Sequence, residues 1–332
     1  MNPLQNGNGS SELTMAVLGC GTMGIAILSG ILASLDEMQE VNKPASGTST
    51  PLYETSATTR LPSRFIACVR RPESAKKLKA TFSSHASSVI IAQNANVRSV
   101  ENADIILLAC KPYMVQEVLC ERGMAAALEG KLLISILAGV TEAQLGSTLA
   151  TANGGVAVPN CRVVRAMPNT ASLIRESMTV IGISNPPLDP ETMGLVTWIF
   201  KRIGEVVYLP PSTMDVCTSL CGSGPAFFAL MLEAAIDGAV AMGLPRAEAQ
   251  RMAAQTMKGA AGLVLNGDHP ALLRDKVSTP GGCTIGGLLV LEEGRVRGTV
   301  ARAVREATVV ASQLGQGVQG VNGTRFPSNQ FQ

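Results

Sequence analysis

"TMAVLGCGTMG" occupies residues 14–24 and decides the fold of the first half of the chain. A short apolar run leads into Gly19, Gly21 and Gly24, and an apolar segment with helical spacing follows. The first glycine permits a tight turn, the second lets a pyrophosphate approach the backbone, and the third lets the helix pack closely on the strand. The start of the helix adds free amides and positive potential. This pattern predicts a dinucleotide site formed by Leu18, Gly19, Gly21, Thr22, Met23 and Gly24.

Residues 14–35 carry no charge, and a segment of this length could also span a bilayer. The segment has no flanking Lys or Arg anchors, and three glycines fall within its first half. We therefore favour a buried strand, a turn and a buried helix of a soluble domain over a transmembrane helix.

Strand-like and helix-like segments alternate through the rest of the first half. The strand candidates are residues 14–18, 64–69, 88–92, 104–110, 131–137 and 161–167, and the helix candidates are residues 24–35, 73–80, 113–127 and 141–150. Alternation of this kind predicts an α/β Rossmann-type N-terminal domain with a mostly parallel sheet.

The strand signal fades after residue 185, where one short strand, "EVVYL", is followed by helices to about residue 314. The segment 225–243 has only Glu233 and Asp237 as charges, so we expect this helix to be buried within a bundle or between subunits. The second half is therefore predicted to be an all-α C-terminal domain that forms an oligomer.

Composition changes mark the predicted domain limits. We expect a Rossmann-type domain over residues 13–184 and a helical substrate and oligomerisation domain over residues 185–314. A Ser-, Thr- and Pro-rich surface loop is predicted at about residues 36–63. The polar stretches 1–12 and 315–332 are expected to be disordered tails.

Charge and cysteine usage exclude several classes of function. The formal net charge is +2, which is too small for an electrostatic nucleic-acid binder. The eight cysteines form no CxxC pair and the two histidines are far apart, so we expect no metal site. Single cysteines in apolar runs, together with an N-terminus unlike a signal peptide, predict a cytoplasmic protein with reduced thiols and no membrane partner.

The end of the second strand should select the nucleotide. NAD-binding proteins usually place an acidic residue there, but this sequence has Arg70 and Arg71. A guanidinium group suits a 2′-phosphate, so we expect NADPH as the cofactor, with NADH possible. The alternative is a solvated basic pair at the start of a helix.

A second glycine-rich stretch, "VSTPGGCTIGG", occupies residues 277–287 and contains no His, carboxylate or Lys. Its chemistry would depend on backbone amides and hydroxyl groups. His85 lies in a Ser-rich stretch and His269 precedes a proline at a helix start, so neither is expected to act in catalysis.

Taken together, these motifs resemble the pyrroline-5-carboxylate reductases over residues 13–313. The resemblance rests on "GCGTMG", "CKP", "ILAGVT", "RAMPNT", "GSGPAF" and "DKVSTPGGCTIGGLLVLEEG". It implies NAD(P)H-dependent reduction of 1-pyrroline-5-carboxylate to L-proline, the last step of proline biosynthesis. Hydride transfer to the C=N carbon needs no strong base, which agrees with a site that lacks His and carboxylates. The resemblance also implies a homodimer through the helical domain, and members of the family often gather such dimers into decamers.

The resemblance assigns roles to individual residues. Thr284 is the implied catalytic residue, because its hydroxyl would reach the ring nitrogen; the alternative for Thr284 is an ordinary helix N-cap. Gly267 stands where relatives can carry a substrate-contacting Glu. The implied substrate-binding residues are Lys276, Val277, Thr279, Gly282, Cys283 and Thr284. Further cofactor-binding residues are Asn96, Ala109, Cys110, Lys111, Pro112, Ala138 and Asn169, besides Arg70 and Arg71.

Two other functions remain open at the level of sequence. A 3-hydroxyacid dehydrogenase would share the layout, but Phe228 stands at the position of that family's catalytic Lys. A redox-sensing protein could bind NADP without turnover, although it would not need the stretch 277–287.

Overall fold

The computed structural model describes residues 12–41, 60–316, 318, 321, 323 and 324. Within them, eight strands form one sheet in the order β3-β2-β1-β4-β5-β6-β7-β8. The strands are β1 (Leu13–Leu18), β2 (Pro62–Val69), β3 (Val89–Gln93), β4 (Ile105–Leu108), β5 (Leu132–Ser135), β6 (Arg162–Met167), β7 (Ser177–Gly182) and β8 (Gly204–Leu209).

Strands β1 to β6 are parallel, and their order is that of a Rossmann fold. Strand β7 runs antiparallel to β6, and β8 pairs with β7 in parallel. The predicted fold class is confirmed, and all six predicted strands of the first half are present. Strand β7 was not predicted.

Eight helices accompany the sheet in the described part of the chain. They are α1 (Thr22–Val41), α2 (Pro72–Thr81), α3 (Asn96–Glu101), α4 (Val115–Leu119), α5 (Met124–Ala127), α6 (Glu142–Ala152), α7 (Pro190–Lys201) and α8 (Met214–Cys217).

Two of the predicted segments have different limits. Helix α1 continues to Val41 and β2 begins at Pro62, so the predicted loop 36–63 is helical at its start. Residues 42–59 of that loop, and most of the two predicted tails, lie outside the described residues. The single helix predicted over residues 113–127 is two short helices, because a turn at Cys120–Gly123 separates α4 from α5.

Alternate residues of the strands pack on the two faces of the sheet. Met15 and Val17 of β1 join one buried cluster with Ile27 and Ile31 of α1, and α7 contributes to the same cluster. Leu18 lies in the second cluster, on the other face, with residues of α3, α5 and α6. Both faces of the parallel sheet are therefore covered, as burial of such a sheet requires.

The chain divides into two compact units, and the division lies after Gly222. The first unit contains the sheet, and the described residues from Val309 onwards belong with it. The predicted boundary at 184/185 lies too early, because α7 packs against the core and β8 is hydrogen-bonded to β7. Residues 185–222 therefore belong to the sheet unit.

The second unit, Ser223–Thr308, is helical. Its helices are α9 (Gly224–Ala241), α10 (Arg246–Leu265), α11 (Pro270–Val277), α12 (Cys283–Glu293) and the first part of α13 (Val296–Gly315). Only Gly224, Ile236 and Ala249 of this unit are buried in the single chain. The predicted burial of α9 is therefore not achieved within one chain.

The helical run Pro211–Ala241 is the one segment of the described residues that is long and apolar enough to cross a membrane. It comprises a 3-10 turn (Pro211–Thr213), α8, a π-helical turn (Thr218–Ser223) and α9. Segment 14–35 consists instead of the strand, turn and buried helix predicted for it.

Gly204 provides a test of the β7–β8 pairing. Its φ is +141°, and a Cβ atom there would overlap the backbone of Ser177. We expect Gly204→Ala to lower the free energy of unfolding by about 2–5 kcal/mol, from backbone strain plus overlap. Gly146→Ala in α6 is the control, because its Cβ would meet no atom within 4 Å. Urea denaturation gives the unfolding midpoint of each variant. A midpoint for Gly204→Ala at or above the midpoint for Gly146→Ala would contradict the prediction.

Candidate functional site

The predicted cofactor residues gather at one edge of the sheet. The first six lie at the end of β1 and the start of α1, and Arg70 and Arg71 follow β2. The remainder follow β3, β4, β5 and β6, and they are Asn96, Ala109, Cys110, Lys111, Pro112, Ala138 and Asn169. This edge carries the carboxyl ends of the parallel strands, where ligands bind in open α/β sheets.

The first glycine turn is tightly built. Gly19 has a φ of +79°, and a Cβ atom there would lie 2.6 Å from the Cα of Cys110. The amide of Gly21 donates to the carbonyl of Gly19 at 2.7 Å, and the amide of Ala109 donates to the carbonyl of Leu18 at 2.8 Å. These contacts draw the end of β1 against the segment after β4.

The third glycine is held by packing on the strand. A Cβ atom on Gly24 would lie 3.0 Å from Cγ1 of Val17, so the first turn of α1 approaches β1 closely. By contrast, the nearest atom to a Cβ on Gly21 is 3.9 Å away, so the backbone there is open. A side-chain-free, open turn at a helix start fits the pyrophosphate of a dinucleotide.

A cavity of about 200 Å³ lies at the same edge. Gly19, Arg70, Asn96 and Cys110, all predicted site residues, line it. Sequence reasoning missed the other lining residues, which are Cys68, Val69, Asn94, Met114, Glu117, Val118 and Glu121. Asn94 follows β3 directly, so its position at the end of a strand was a usable signal; the two glutamates gave none.

Two polar contacts join the lining residues. Nη1 of Arg70 lies 3.1 Å from Oε1 of Glu117, and both side chains are more than half exposed. The side-chain amide of Asn96 donates to Glu121 at 3.4 Å. Arg71 lies outside this lining and is the residue that precedes α2, so its part in cofactor binding stays a prediction.

Asn169 has a local structural role. Its side-chain oxygen accepts from the amide of Ala171 at 3.0 Å and caps the 3-10 turn Thr170–Ile174. Its own amide donates to the hydroxyl of Ser177 at 3.0 Å. The cap fixes Asn169 at the end of β6, and its approach to a nicotinamide stays a prediction.

Three thiols surround the glycine turn. Burial raises the pKa of Cys20 to about 12 and the pKa values of Cys68 and Cys110 to about 11. At neutral pH these thiols are protonated, so they add no negative charge beside a pyrophosphate and are poor nucleophiles.

The glycine-rich stretch of the helical unit links α11 to α12. The amide of Gly282 donates to the carbonyl of Thr279 at 3.0 Å, which closes a turn just before α12. Gly282 occupies the N-cap and Thr284 is the second residue of the helix, so the N-cap alternative for Thr284 is wrong. The amides of Cys283 and Thr284 belong to the first helical turn, where amides have no partner within the helix. This end of α12 can accept a carboxylate.

Other predicted substrate residues lie on the same link. Lys276, near the end of α11, pairs with Asp268 at 2.6 Å, next to Gly267. Val277 ends α11 and is exposed, as are Thr279 and Cys283. Thr284 is half-buried.

The two histidines have structural contacts. His269 caps α11, its Nδ1 accepting from the amide of Ala271 at 3.2 Å, and His85 lies 2.9 Å from the carboxylate of Asp36. No group of three His, Cys, Asp or Glu side chains among the described residues could hold a metal ion.

Comparisons with known proteins cover nearly the whole chain. Residues 211–314 match the family model for pyrroline-5-carboxylate reductase dimerisation, and residues 14–139 match that for coenzyme F420-dependent NADP oxidoreductases. A pyrroline-5-carboxylate reductase of Lophium arboricola is 68% identical over 95% of this chain and 98% of its own length. One from Schizosaccharomyces pombe is 44% identical over 90% of this chain and 98% of its own length.

Solved structures give the same result. The NADP-bound pyrroline carboxylate reductase of Plasmodium falciparum superposes with a TM-score of 0.70 at 26% identity, over 92% of this chain and 100% of its own. A pyrroline-5-carboxylate reductase from Coxiella burnetii superposes with a TM-score of 0.71 at 27% identity, over 92% of this chain and 99% of its own. The sheet order, the glycine turn, the α11–α12 link and these relatives lead to one assignment: the chain belongs to the pyrroline-5-carboxylate reductase family.

Proposed function

We propose that this chain reduces 1-pyrroline-5-carboxylate to L-proline by hydride transfer to the C=N carbon. The observation that carries the proposal is similarity over 95% of the chain to a reductase of that name. The arrangement agrees with the chemistry, because an iminium carbon is already electrophilic and the link between α11 and α12 offers amides and hydroxyls without a base.

The α11–α12 link binds the substrate carboxylate in this proposal. The amides of Cys283 and Thr284 donate hydrogen bonds to this carboxylate. The positive end of the α12 dipole lies at the same place and favours the negative charge. The Thr284 hydroxyl hydrogen-bonds to the ring nitrogen and orients the C=N bond. Lys276, Val277, Thr279 and Gly282 shape the link around the substrate.

The glycine turn and the cavity at the sheet edge hold the cofactor. A bound reduced nicotinamide supplies the hydride. Gly19, Gly21 and Gly24 leave room for the pyrophosphate, and Arg70 faces the 2′-phosphate of NADPH. The relative from Plasmodium falciparum contains NADP, which supports this choice.

Arginine substitution tests the choice of nucleotide. Removing a charge-assisted hydrogen bond costs about 1.5–3 kcal/mol, so the pair of substitutions Arg70→Ala and Arg71→Ala should lower kcat/KM for NADPH roughly ten- to hundredfold. NADH kinetics should change little. Arg64→Ala, an exposed arginine near the start of β2, is the control. If the ratio of kcat/KM for NADPH to kcat/KM for NADH is unaltered, residues other than Arg70 and Arg71 recognise the 2′-phosphate.

We propose assembly into homodimers, which the exposed apolar surface of the helical unit and the match of residues 211–314 to the dimerisation family model support. Further association of the dimers into decamers is part of the same proposal. A second copy, rather than lipid, covers α9 in this proposal. The protein is cytoplasmic and binds neither nucleic acid nor membrane. Light scattering in detergent-free buffer measures the subunit number.

One assay separates the proposal from its alternatives. The purified chain is mixed with NADPH, and absorbance is followed with and without 1-pyrroline-5-carboxylate. Oxidation that depends on the imine, with proline as the product, is expected. Nucleotide binding without turnover would favour a redox-sensing protein, and turnover only with a 3-hydroxyacid and NADP⁺ would favour a dehydrogenase.

A further inference from the structure

The cavity at the sheet edge contains an acidic side chain that faces the arginine expected to bind a phosphate. Arg70 supplies the one cationic side chain among its lining residues, whereas Glu117 and Glu121 supply two carboxylates. A nucleotide that carries an extra phosphate therefore enters a cavity whose lining has a net negative formal charge.

Glu117 contacts the guanidinium directly. Glu117 lies on α4, 47 residues after Arg70 in the chain, and its Oε1 lies 3.1 Å from Nη1 of Arg70. Both side chains are more than half exposed, at 60% and 63%, so water screens the pair and the contact can be exchanged for another anion.

A ribose 2′-phosphate would compete for the same guanidinium. It carries between one and two negative charges at neutral pH and prefers a two-pronged contact with arginine. While Glu117 holds Nη1, part of that contact is unavailable, and after exchange the carboxylate and the phosphate are close like charges. The uncharged ribose 2′-hydroxyl of NADH does not displace Glu117 from Arg70.

We propose that Glu117 competes with the 2′-phosphate for Arg70 and thereby limits the preference of this enzyme for NADPH over NADH. The inference rests on the proposed role of Arg70 in cofactor binding. It makes Glu117 a specificity-determining residue that weakens binding of the phosphorylated nucleotide.

Equilibrium binding to the full-length protein tests the proposal without turnover. Isothermal titration calorimetry gives the dissociation constants of NADP⁺, NAD⁺ and 2′,5′-ADP for the wild type, Glu117→Gln, Arg70→Gln and the double variant. Glu129→Gln, an exposed carboxylate outside the cavity, is the control for net charge.

Glu117→Gln should bind NADP⁺ and 2′,5′-ADP about three- to tenfold more tightly, which is the effect of removing one nearby screened charge. Its affinity for NAD⁺ should be unchanged, Glu129→Gln should behave as the wild type, and the gain should be smaller in the Arg70→Gln background, where only the direct repulsion between Glu117 and the phosphate is relieved. Equal tightening of both nucleotides, no tightening, or a gain of undiminished size without Arg70 would each overturn the competition. A wild type that binds neither NADP⁺ nor NAD⁺ would instead overturn the proposed cofactor site.

Discussion

Thr284→Val should lower kcat by about 10²-fold while leaving the affinity for NADPH within a factor of two, as expected for a lost contact to a reacting atom. Valine keeps the shape of the side chain but removes the hydroxyl, and Thr284 is half-buried on the first turn of α12. Because Gly282 already caps this helix, the substitution removes no capping hydrogen bond. Steady-state kinetics and nucleotide titration measure the two quantities.

The conservative variant Thr284→Ser separates chemistry from packing. It retains the hydroxyl and loses only a methyl group, so it should recover most of the wild-type kcat. If Thr284→Val has the wild-type kcat, or if Thr284→Ser is as slow as Thr284→Val, the hydroxyl has no part in the reaction.

Gly19→Ala should lower the affinity for NADP⁺ by about 100-fold, because roughly 3 kcal/mol of strain falls on the nucleotide turn itself. The added methyl group would lie 2.6 Å from Cα and 2.7 Å from the amide nitrogen of Cys110, and neither backbone atom can rotate away. The ends of β1 and β4 must then separate where the pyrophosphate is expected.

A matched glycine controls for backbone strain alone. Gly155 has a φ of +90°, but a Cβ there would meet no atom within 4 Å. Gly155→Ala should therefore lower the melting temperature modestly and leave the affinity for NADP⁺ unchanged. Equal affinities for Gly19→Ala and Gly155→Ala in calorimetry would show that the close contact with Cys110 is irrelevant to the site.

Much of the fold could be predicted because local pattern and tertiary structure agree in β1 and α1. An apolar run, three glycines and a second apolar run have one reasonable arrangement in a soluble domain. Strand β7 was missed because "SMTVIG" follows a 3-10 turn and pairs antiparallel, outside the alternation that identified β1 to β6. The domain boundary was misplaced because the strand signal fades after residue 185, although α7 packs on the core of the sheet and the short strand β8 pairs with β7.

The candidate site could be predicted only where its residues belong to motifs. Arg70 was found from its position at the end of the second strand, and the stretch 277–287 from its composition. Glu117 and Glu121 could not be found in this way, because their importance comes from proximity to Arg70 and Asn96 in space. No local spacing in the sequence encodes that proximity.

The scarcity of buried residues in the helical unit has a genetic consequence. A fold with three buried positions among its 86 residues has little interior of its own, so the association of copies proposed above would make its stability rise with the amount of protein made. In a cell with two alleles, a chain unable to associate through α9 to α13 would stay outside the assemblies of the normal chains, whereas a chain altered only in the nucleotide turn would enter them. Damage to the helical unit should accordingly be inherited as a recessive trait, and a lesion of the nucleotide turn is the one that can impair the normal chains.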